Sequence, residues 1–231
     1  MTLYGVELSL CSDVEEVASV IANELVEAAR SGQSLVLTGG HTPRRAYELA
    51  AEREPDWSAA SLWWGDERCV PPEDERSNFR LARESLLDRI EAPPREVQRI
   101  RGELGAEEAA REYDDLVRSA ARFDYILIGI GPDGHAASLY PGEPTLQERE
   151  RRAIPAEAKL EPFVDRVTLT VPVLSAAPEV VFIVAGEEKA EAVEKAFARP
   201  PGPETPASLI RSTEGRTRVV ADAAAASRLS S

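Results

Sequence analysis

Cysteine, histidine and lysine are all scarce in this chain, and each scarcity excludes something. Of its 231 residues only two are cysteines, Cys11 and Cys69. They are too few for a disulfide framework and form no CxxC pair. The two histidines, His41 and His135, are far apart in sequence, so no metal-ligand spacing is written in the chain and no metal is expected. Lysines are limited to Lys159, Lys189 and Lys195, and 27 basic against 41 acidic side chains give a formal net charge of −14. Such a surface repels nucleic-acid backbones and anionic membranes unless a local basic patch overrides it. Neither nucleic acid nor membrane is expected as a partner. The longest apolar runs, such as residues 125–130, fall far short of the ~20 residues a membrane helix needs. The N-terminal residues lack the basic region and continuous apolar stretch of a signal peptide, and a cytoplasmic location is the expectation.

What remains is an ordinary globular composition, 43% hydrophobic and 29% charged, in a chain long enough to bury a sizeable core. No repeat or long linker divides it, so a single domain over residues 1–231 is expected. Tyr4, Val6, Leu8 and Leu10 alternate with small or polar residues, as in a half-buried strand. Ser12 with Glu15 reads as a capping box ahead of Val14, Val17, Ala18, Ile21 and Leu25 at helical spacing. Further strands are expected at 34–38, 62–64, 125–130, 167–171, 180–185 and 218–221. Helices are expected from Thr42 as N-cap with Pro43 at the first helical position, from near Ser77, and over 107–120, 187–197 and 223–229. Residues 140–162 and 199–206 read as irregular. This alternation predicts an α/β fold: a mostly parallel, Rossmann-like sheet with helices on both faces. Ligands of such folds sit beyond the carboxyl ends of the strands.

The unusual residues gather in the loops expected there. In Gly39-Gly40-His41-Thr42-Pro43 two glycines let a ligand approach the backbone, and the free N–H groups of a helix start favour an anion such as phosphate. His41 itself reads as a loop residue. Trp64-Gly65-Asp66-Glu67-Arg68, followed by Ser77-Asn78, puts two carboxylates and a guanidinium at the sheet rim; a salt-bridged loop is the plain alternative. Cys69 adjoins Arg68, and positive neighbours lower a thiol's pKa, yet nothing else specifies a cysteine nucleophile. The sharpest segment runs from Gly129 to Pro141. There the most apolar strand enters a rigid Gly/Pro turn that delivers Asp133 and His135 to the sheet edge. A neutral imidazole in that position can take a proton from water at pH 7, and Asp133 can orient the ring or the water. Gly129-x-Gly131-x-x-Gly134 matches the dinucleotide fingerprint only superficially, because no acidic residue follows the next strand as that reading requires. Lys189, after Gly186-Glu187-Glu188, is a further candidate cation. So is Arg166, although it stands before its strand and could lie at the opposite end of the sheet.

Together these segments resemble the 6-phosphogluconolactonase family. The matching stretches are TGGHTP at 38–43, WGDERCVPPEDERSNFRLA at 64–82, IGIGPDGHAASLYPG at 128–142, RVTLTVPVL at 166–174, VAGEEKAEAV at 184–193 and PASLI at 206–210. They occur in the family's order over nearly the whole chain. His41 stands where the family typically has Ser, Ala136 where it has Thr and Tyr140 where it has Phe, and the final VVAD lacks a preceding aromatic. The resemblance implies hydrolysis of 6-phospho-D-glucono-1,5-lactone to 6-phosphogluconate in the oxidative pentose phosphate pathway. It implies no cofactor, and a monomer or at most a weak dimer. His135 then looks like the catalytic base with Asp133 beside it. Gly39, Gly40, Thr42, Asp66, Arg68, Asn78, Arg166 and Lys189 make up the substrate- and phosphate-binding set. The related glucosamine-6-phosphate isomerase/deaminase family shares the Asp-Gly-His turn. It typically continues with Phe-Asn-Glu-Pro and has Tyr after the earlier Asp-Glu, where this chain has Ser138-Leu139-Tyr140-Pro141 and Arg68. A sugar-phosphate sensor fused to a DNA-binding module finds no room in this length.

Overall fold

Strands and helices alternate through most of the chain in a computed structural model that describes residues 3–120, 122–159 and 161–229. The order is β1 (Glu7–Cys11), α1 (Val14–Arg30), β2 (Ser34–Leu37), α2 (His41–Arg53), β3 (Ser61–Trp64), β4 (Asp66–Arg68), α3 (Asn78–Ser85), β5 (Glu96–Gln98) and α4 (Ala106–Ser119). It continues with β6 (Tyr125–Ile128), β7 (Ala153–Ala156), β8 (Arg166–Leu169), α5 (Val171–Leu174), β9 (Glu179–Val184), α6 (Ala190–Phe197) and β10 (Arg216–Asp222). Seven strands form one sheet in the order β1-β10-β9-β6-β2-β3-β5, and every pairing in it is parallel. The inner strands are apolar and buried at almost every position, as sheets covered on both faces require.

The strand order explains where a ligand can enter. From β2 the chain steps outward through β3 to β5, whereas from β6 it steps the other way through β9 to β10. Right-handed crossovers running in opposite directions place α1 and α2 on one face and α6 on the other. The reversal falls between β2 and β6, and the crevice beyond the carboxyl ends of such a strand pair is the usual ligand site of an open α/β sheet.

Several local expectations need correction. The strand expected at 167–171 does not join the parallel sheet. As β8 it lies antiparallel between β4 and β7 in a separate three-stranded sheet, against which α4 packs. The segment 140–162 is accordingly more ordered than expected, since it contributes β7 and a short 3₁₀ turn at Pro144–Gln147. The cap of α1 is Asp13 rather than Ser12: its carboxylate accepts the Glu16 N–H at 2.9 Å, while the Ser12 N–H donates back to Glu16 at 2.6 Å. The box exists one residue later, because Ser and Asp are equally able to cap and stand side by side. Helix α2 starts at His41 with Gly40 as its N-cap, so Thr42 lies inside the first turn. Residues 223–229 form successive turns, not a helix. The Asp222 carboxylate takes the Ala225 N–H at 2.7 Å as a cap would, but after one longer bond the pattern tightens, with Leu229 N–H reaching back only to the Ala226 carbonyl.

Two buried tyrosines brace the strand ends that face the crevice. Tyr47 of α2 donates to the Thr38 carbonyl at 2.8 Å and accepts the Thr38 N–H at 3.0 Å. Tyr113 of α4 does the same for Trp64, at 2.9 and 3.0 Å. Each hydroxyl satisfies a buried N–H and C=O just where the strand ends and ladder partners run out.

Candidate functional site

A cleft of about 400 Å³ opens over the carboxyl ends of β2, β6 and β9, within the size range of small-molecule sites. The loop after β2 contributes Gly39, Gly40, His41 and Thr42; β4 and α3 contribute Asp66, Arg68 and Asn78. The turn after β6 adds Gly131 and His135, the start of β8 adds Arg166, and the loop after β9 adds Glu188 and Lys189. Of the catalytic and binding residues that the family resemblance implied, all but Asp133 line the cleft; Asp133 bonds the ring of His135.

That pair is the tightest feature of the site. His135 Nδ1 is 2.5 Å from Asp133 Oδ1, and the His135 backbone N–H donates to the same oxygen at 3.1 Å. Burial by itself would push the Asp133 carboxyl up. The hydrogen bonds and charge of His135 outweigh that and hold it below the usual carboxylate range. An ionised Asp133 can only accept, so Nδ1 carries a proton, and in the neutral ring the lone pair is on Nε2. Among the described residues Nε2 has no hydrogen-bond partner. The ring is boxed in from two sides: Tyr140 lies with its ring centre 5.0 Å away, and Gly131 is so close that a Cβ there would fall 2.1 Å from both Nδ1 and Cε1. Only glycine permits that approach. Ala137, two residues on, has φ of +51°, a left-handed conformation that a non-glycine residue seldom adopts.

The opposite wall is cationic. Helix α2 has no acidic residue in its first turn and no side-chain cap, so its leading N–H groups and the positive end of its dipole face the cleft. Arg68 Nη1 donates to Asn78 Oδ1 and to the Arg76 carbonyl, each at 2.7 Å, and among the described residues no carboxylate lies within ion-pair distance of its guanidinium. Asn78 is pressed against the β2 loop; a Cβ on Gly39 would sit 2.0 Å from its Oδ1. Arg166 is paired in register with Arg68 across β4 and β8, is 5% exposed, and donates to the Pro162 carbonyl at 3.2 Å. The antiparallel course of β8 brings its first residue to the same end as the carboxyl ends of the parallel strands. Arg166 therefore lies in the cleft, not at the far end of the sheet. Burial pushes the Lys189 ammonium below the usual lysine range, against the pull of Glu188 and Asp133.

The two carboxylates of the Asp-Glu-Arg segment part company. Asp66 accepts from Ser138 Oγ at 2.7 Å and from Asn78 Nδ2 at 3.2 Å and stays in the cleft lining. Glu67 turns away from it and caps α3, accepting the N–H groups of Asn78 and Phe79 at 2.8 Å and the Ser77 hydroxyl at 2.9 Å. Burial pushes its carboxyl up against those bonds. Glu67 is thus not a rim carboxylate, contrary to the expectation from sequence. Burial, with Asp165 and Glu67 nearby, pushes the Cys69 thiol up to about 11 despite Arg166, so a thiolate is disfavoured there. Sequence reasoning missed Ser138, Ala137 and Glu188. Ser138 stood in a quoted motif, but its bond to Asp66 spans 72 residues and has no local signal. Among the described residues no group of three or more His, Cys, Asp or Glu could hold a metal ion, and no helix is long and apolar enough to cross a membrane.

Comparison with known proteins bears on the family and the fold. The sequence model of the glucosamine-6-phosphate isomerases/6-phosphogluconolactonase family matches residues 12–219. The human 6-phosphogluconolactonase is 35% identical over 95% of this chain and 92% of its own length. Among solved structures, the 6-phosphogluconolactonase of Trypanosoma brucei superposes with a TM-score of 0.87 at 24% identity, covering 99% of this chain and 100% of that one. A monomeric glucosamine-6-phosphate deaminase superposes with a TM-score of 0.86 at 20% identity, over 96% of this chain and 100% of that one. At these identities both superpositions speak for the fold alone, and the fold is common to hydrolase and deaminase. The chain belongs to the 6-phosphogluconolactonase family, carboxylic ester hydrolases of the glucosamine-6-phosphate isomerase/6-phosphogluconolactonase superfamily.

Proposed function

We propose that this chain hydrolyses 6-phospho-D-glucono-1,5-lactone to 6-phosphogluconate, with His135 as general base. The observation that carries the reading is the His135–Asp133 pair: an imidazole held by a 2.5 Å bond at Nδ1, with Nε2 unpartnered among the described residues on a ring lining a cationic cleft. A water between Nε2 and the lactone carbonyl carbon gives its proton to Nε2 as its oxygen bonds to that carbon. The carbonyl electrons move to oxygen and form a tetrahedral oxyanion. Collapse restores the C=O, breaks the bond to the ring oxygen, and returns the proton from Nε2 to that leaving oxygen. Asp133 is the positioning residue, fixing the tautomer and balancing the transient imidazolium.

The α2 start at Gly39, Gly40 and Thr42, with Arg68, Arg166 and Lys189, holds the phosphate, while Asp66 and Asn78 fix the floor and the Arg68 head. With the phosphate anchored, the carbonyl reacts as one end of a bound six-carbon chain. An isomerase or deaminase reading would need a carboxylate base for C–H abstraction; Glu67 is consumed as a helix cap, and Asp66 already accepts from Ser138 and Asn78.

The test is a coupled assay on the purified protein with the phosphorylated lactone and, in parallel, with hexosamine 6-phosphate. Lactone turnover without ketose product is expected, and His135→Ala should lower kcat by ~10²–10⁴. Turnover of the hexosamine phosphate, or a folded His135→Ala with near-full lactonase activity, refutes the reading.

A further inference from the structure

A second cavity, of about 360 Å³, opens at the other end of the strands and shares no lining residue with the cleft. Its floor is apolar, formed by Val117 of α4, Phe123 just before β6, and Pro172 and Val173 of α5. Its rim carries five arginines in a chain whose formal net charge is −14. Two of the five are neutralised: Arg118 Nε lies 2.7 Å from Asp114, and Arg122 Nη1 lies 3.0 Å from Glu214.

The other three, Arg149, Arg151 and Arg152, fall within four consecutive residues. Among the described residues none of their guanidiniums has a carboxylate at ion-pair distance. Arg149 Nη1 donates to the carbonyls of Leu146 and Glu148, at 2.8 and 2.7 Å. Arg152 Nη1 reaches the Val117 carbonyl only at 3.4 Å. Two acids line the cavity, Glu150 and Glu214, and Glu214 is paired with Arg122; Glu148 adjoins Arg149 in the chain. The Glu148 carboxylate is engaged by the backbone N–H groups of Arg149, Glu150 and Arg151.

The arginine segment is held in place rather than loose. Thr170 Oγ1 donates to the Arg151 carbonyl at 3.0 Å, the Thr170 N–H donates to the Arg152 carbonyl at 3.0 Å, and Asp114 accepts the backbone N–H of Arg152. Three cations carried on one fixed backbone segment repel one another, and an anion seated between them relieves that repulsion. Guanidinium forks suit phosphate in particular, and an apolar floor beside them accepts a planar or aliphatic body.

We propose that this cavity binds a phosphate monoester carried on an aromatic body, a ligand of the nucleoside monophosphate class, at a site separate from the catalytic cleft. The proposal does not rest on the lactonase reading. It is tested by calorimetric titration of the full chain with AMP and, separately, with inorganic phosphate. The proteins compared are the parent, Lys189→Ala, and the double variant Arg149→Gln/Arg151→Gln. One AMP per chain is expected, unchanged in Lys189→Ala and undisplaced by saturating 6-phosphogluconate. The double variant should weaken binding by ~10²-fold, about tenfold for each guanidinium–phosphate hydrogen bond removed, and phosphate alone should bind more weakly than AMP.

Three results overturn the proposal: no heat of binding up to ~5 mM AMP, binding that survives the double substitution, or binding displaced by 6-phosphogluconate. Inorganic phosphate binding as tightly as AMP would remove the aromatic body from the ligand class and refute it in that form. Should the double variant not fold, as judged by circular dichroism, Arg151→Gln alone serves: that side chain makes no hydrogen bond among the described residues, and a weakening of ~10-fold is still required.

Discussion

Replacing Gly131 by alanine perturbs the ring proposed as the general base without changing its chemistry. The new methyl carbon would lie 2.1 Å from Nδ1 and Cε1 of His135, short by about 1.3 Å of the 3.4 Å at which ordinary contact begins, and 2.7 Å from Asp133 Oδ1. Neither the β6 strand nor the buried ring of Tyr140 can retreat that far, whereas His135 is partly open to the cleft. The imidazole should therefore swing outward by roughly 1 Å and lose the short bond to Asp133. Misplacing a reacting group by that distance costs about 10²-fold. The groups proposed to hold the phosphate sit on other loops, so KM should stay within about threefold while kcat carries the loss. Steady-state kinetics on the phosphorylated lactone, corrected for spontaneous hydrolysis, give both constants, and a thermal melt controls for folding. If Gly131→Ala folds normally and keeps kcat within about threefold of the parent, the placement of His135 by Gly131 and Asp133 is not what sets the rate.

Other expectations follow from the same geometry. Lys189→Ala should lower kcat/KM by ~10–10³ through removal of one ammonium–phosphate hydrogen bond, and should shrink the preference for the phosphorylated lactone over plain gluconolactone; an equal loss on both substrates would move Lys189 out of the phosphate site. Because burial lowers the Lys189 pKa, its cation is lost at a lower pH than that of an exposed lysine. Binding of 6-phosphogluconate should thus weaken with rising pH before an exposed lysine would lose its proton, and Lys189→Ala should flatten that dependence. Tyr47→Phe leaves the buried N–H and C=O of Thr38 without their partner and should destabilise folding by about 1–3 kcal/mol in denaturant titrations. Thorough chelation should leave lactone turnover unchanged, and activity restored by one particular divalent ion would show a metal role.

Much of the fold was legible because its signals are local. The runs around Val36, Ile126 and Val181 are short, apolar and bounded by glycine or polar turns, and each becomes a central parallel strand. The loops after β2, β6 and β9 stood out by residue type, and topology then gathers them at one crevice. What was illegible depends on pairing at a distance. Nothing near Arg166 says that its strand runs antiparallel to β4, yet that choice alone decides which end of the molecule the guanidinium reaches. Glu67 and Asp66 are adjacent and chemically alike. One becomes a buried helix cap and the other a cleft residue because α3 returns over β4 and Ser138 arrives from a different turn. At 223–229 alanine-rich propensity favours helix, but a single longer bond, from the Ala226 N–H to the Asp222 carbonyl, is followed by tighter turns.

The net charge of −14 makes the preference proposed for a phosphorylated substrate a matter of contact rather than of steering. Over most of the surface arginines are consumed by neighbouring carboxylates, as in Arg45 with Glu15 and Arg99 with Glu103, both at 2.7 Å. The long-range field is therefore set by the excess of acids and opposes the approach of a dianion. That field is screened over roughly 8 Å at physiological ionic strength, while Arg68 beside the α2 start lines the cleft itself. Inside, the helix amides and the Arg68 guanidinium, which has no carboxylate partner among the described residues, act at contact distance and in a less polar medium. There each is worth more than the same charge at the surface. Raising the salt concentration should then affect two terms in opposite directions, relieving repulsion outside while barely screening the contacts within. An acidic protein built this way can bind a sugar phosphate tightly without attracting polyanions in general, because the discrimination sits in a few oriented donors and not in the sign of its surface.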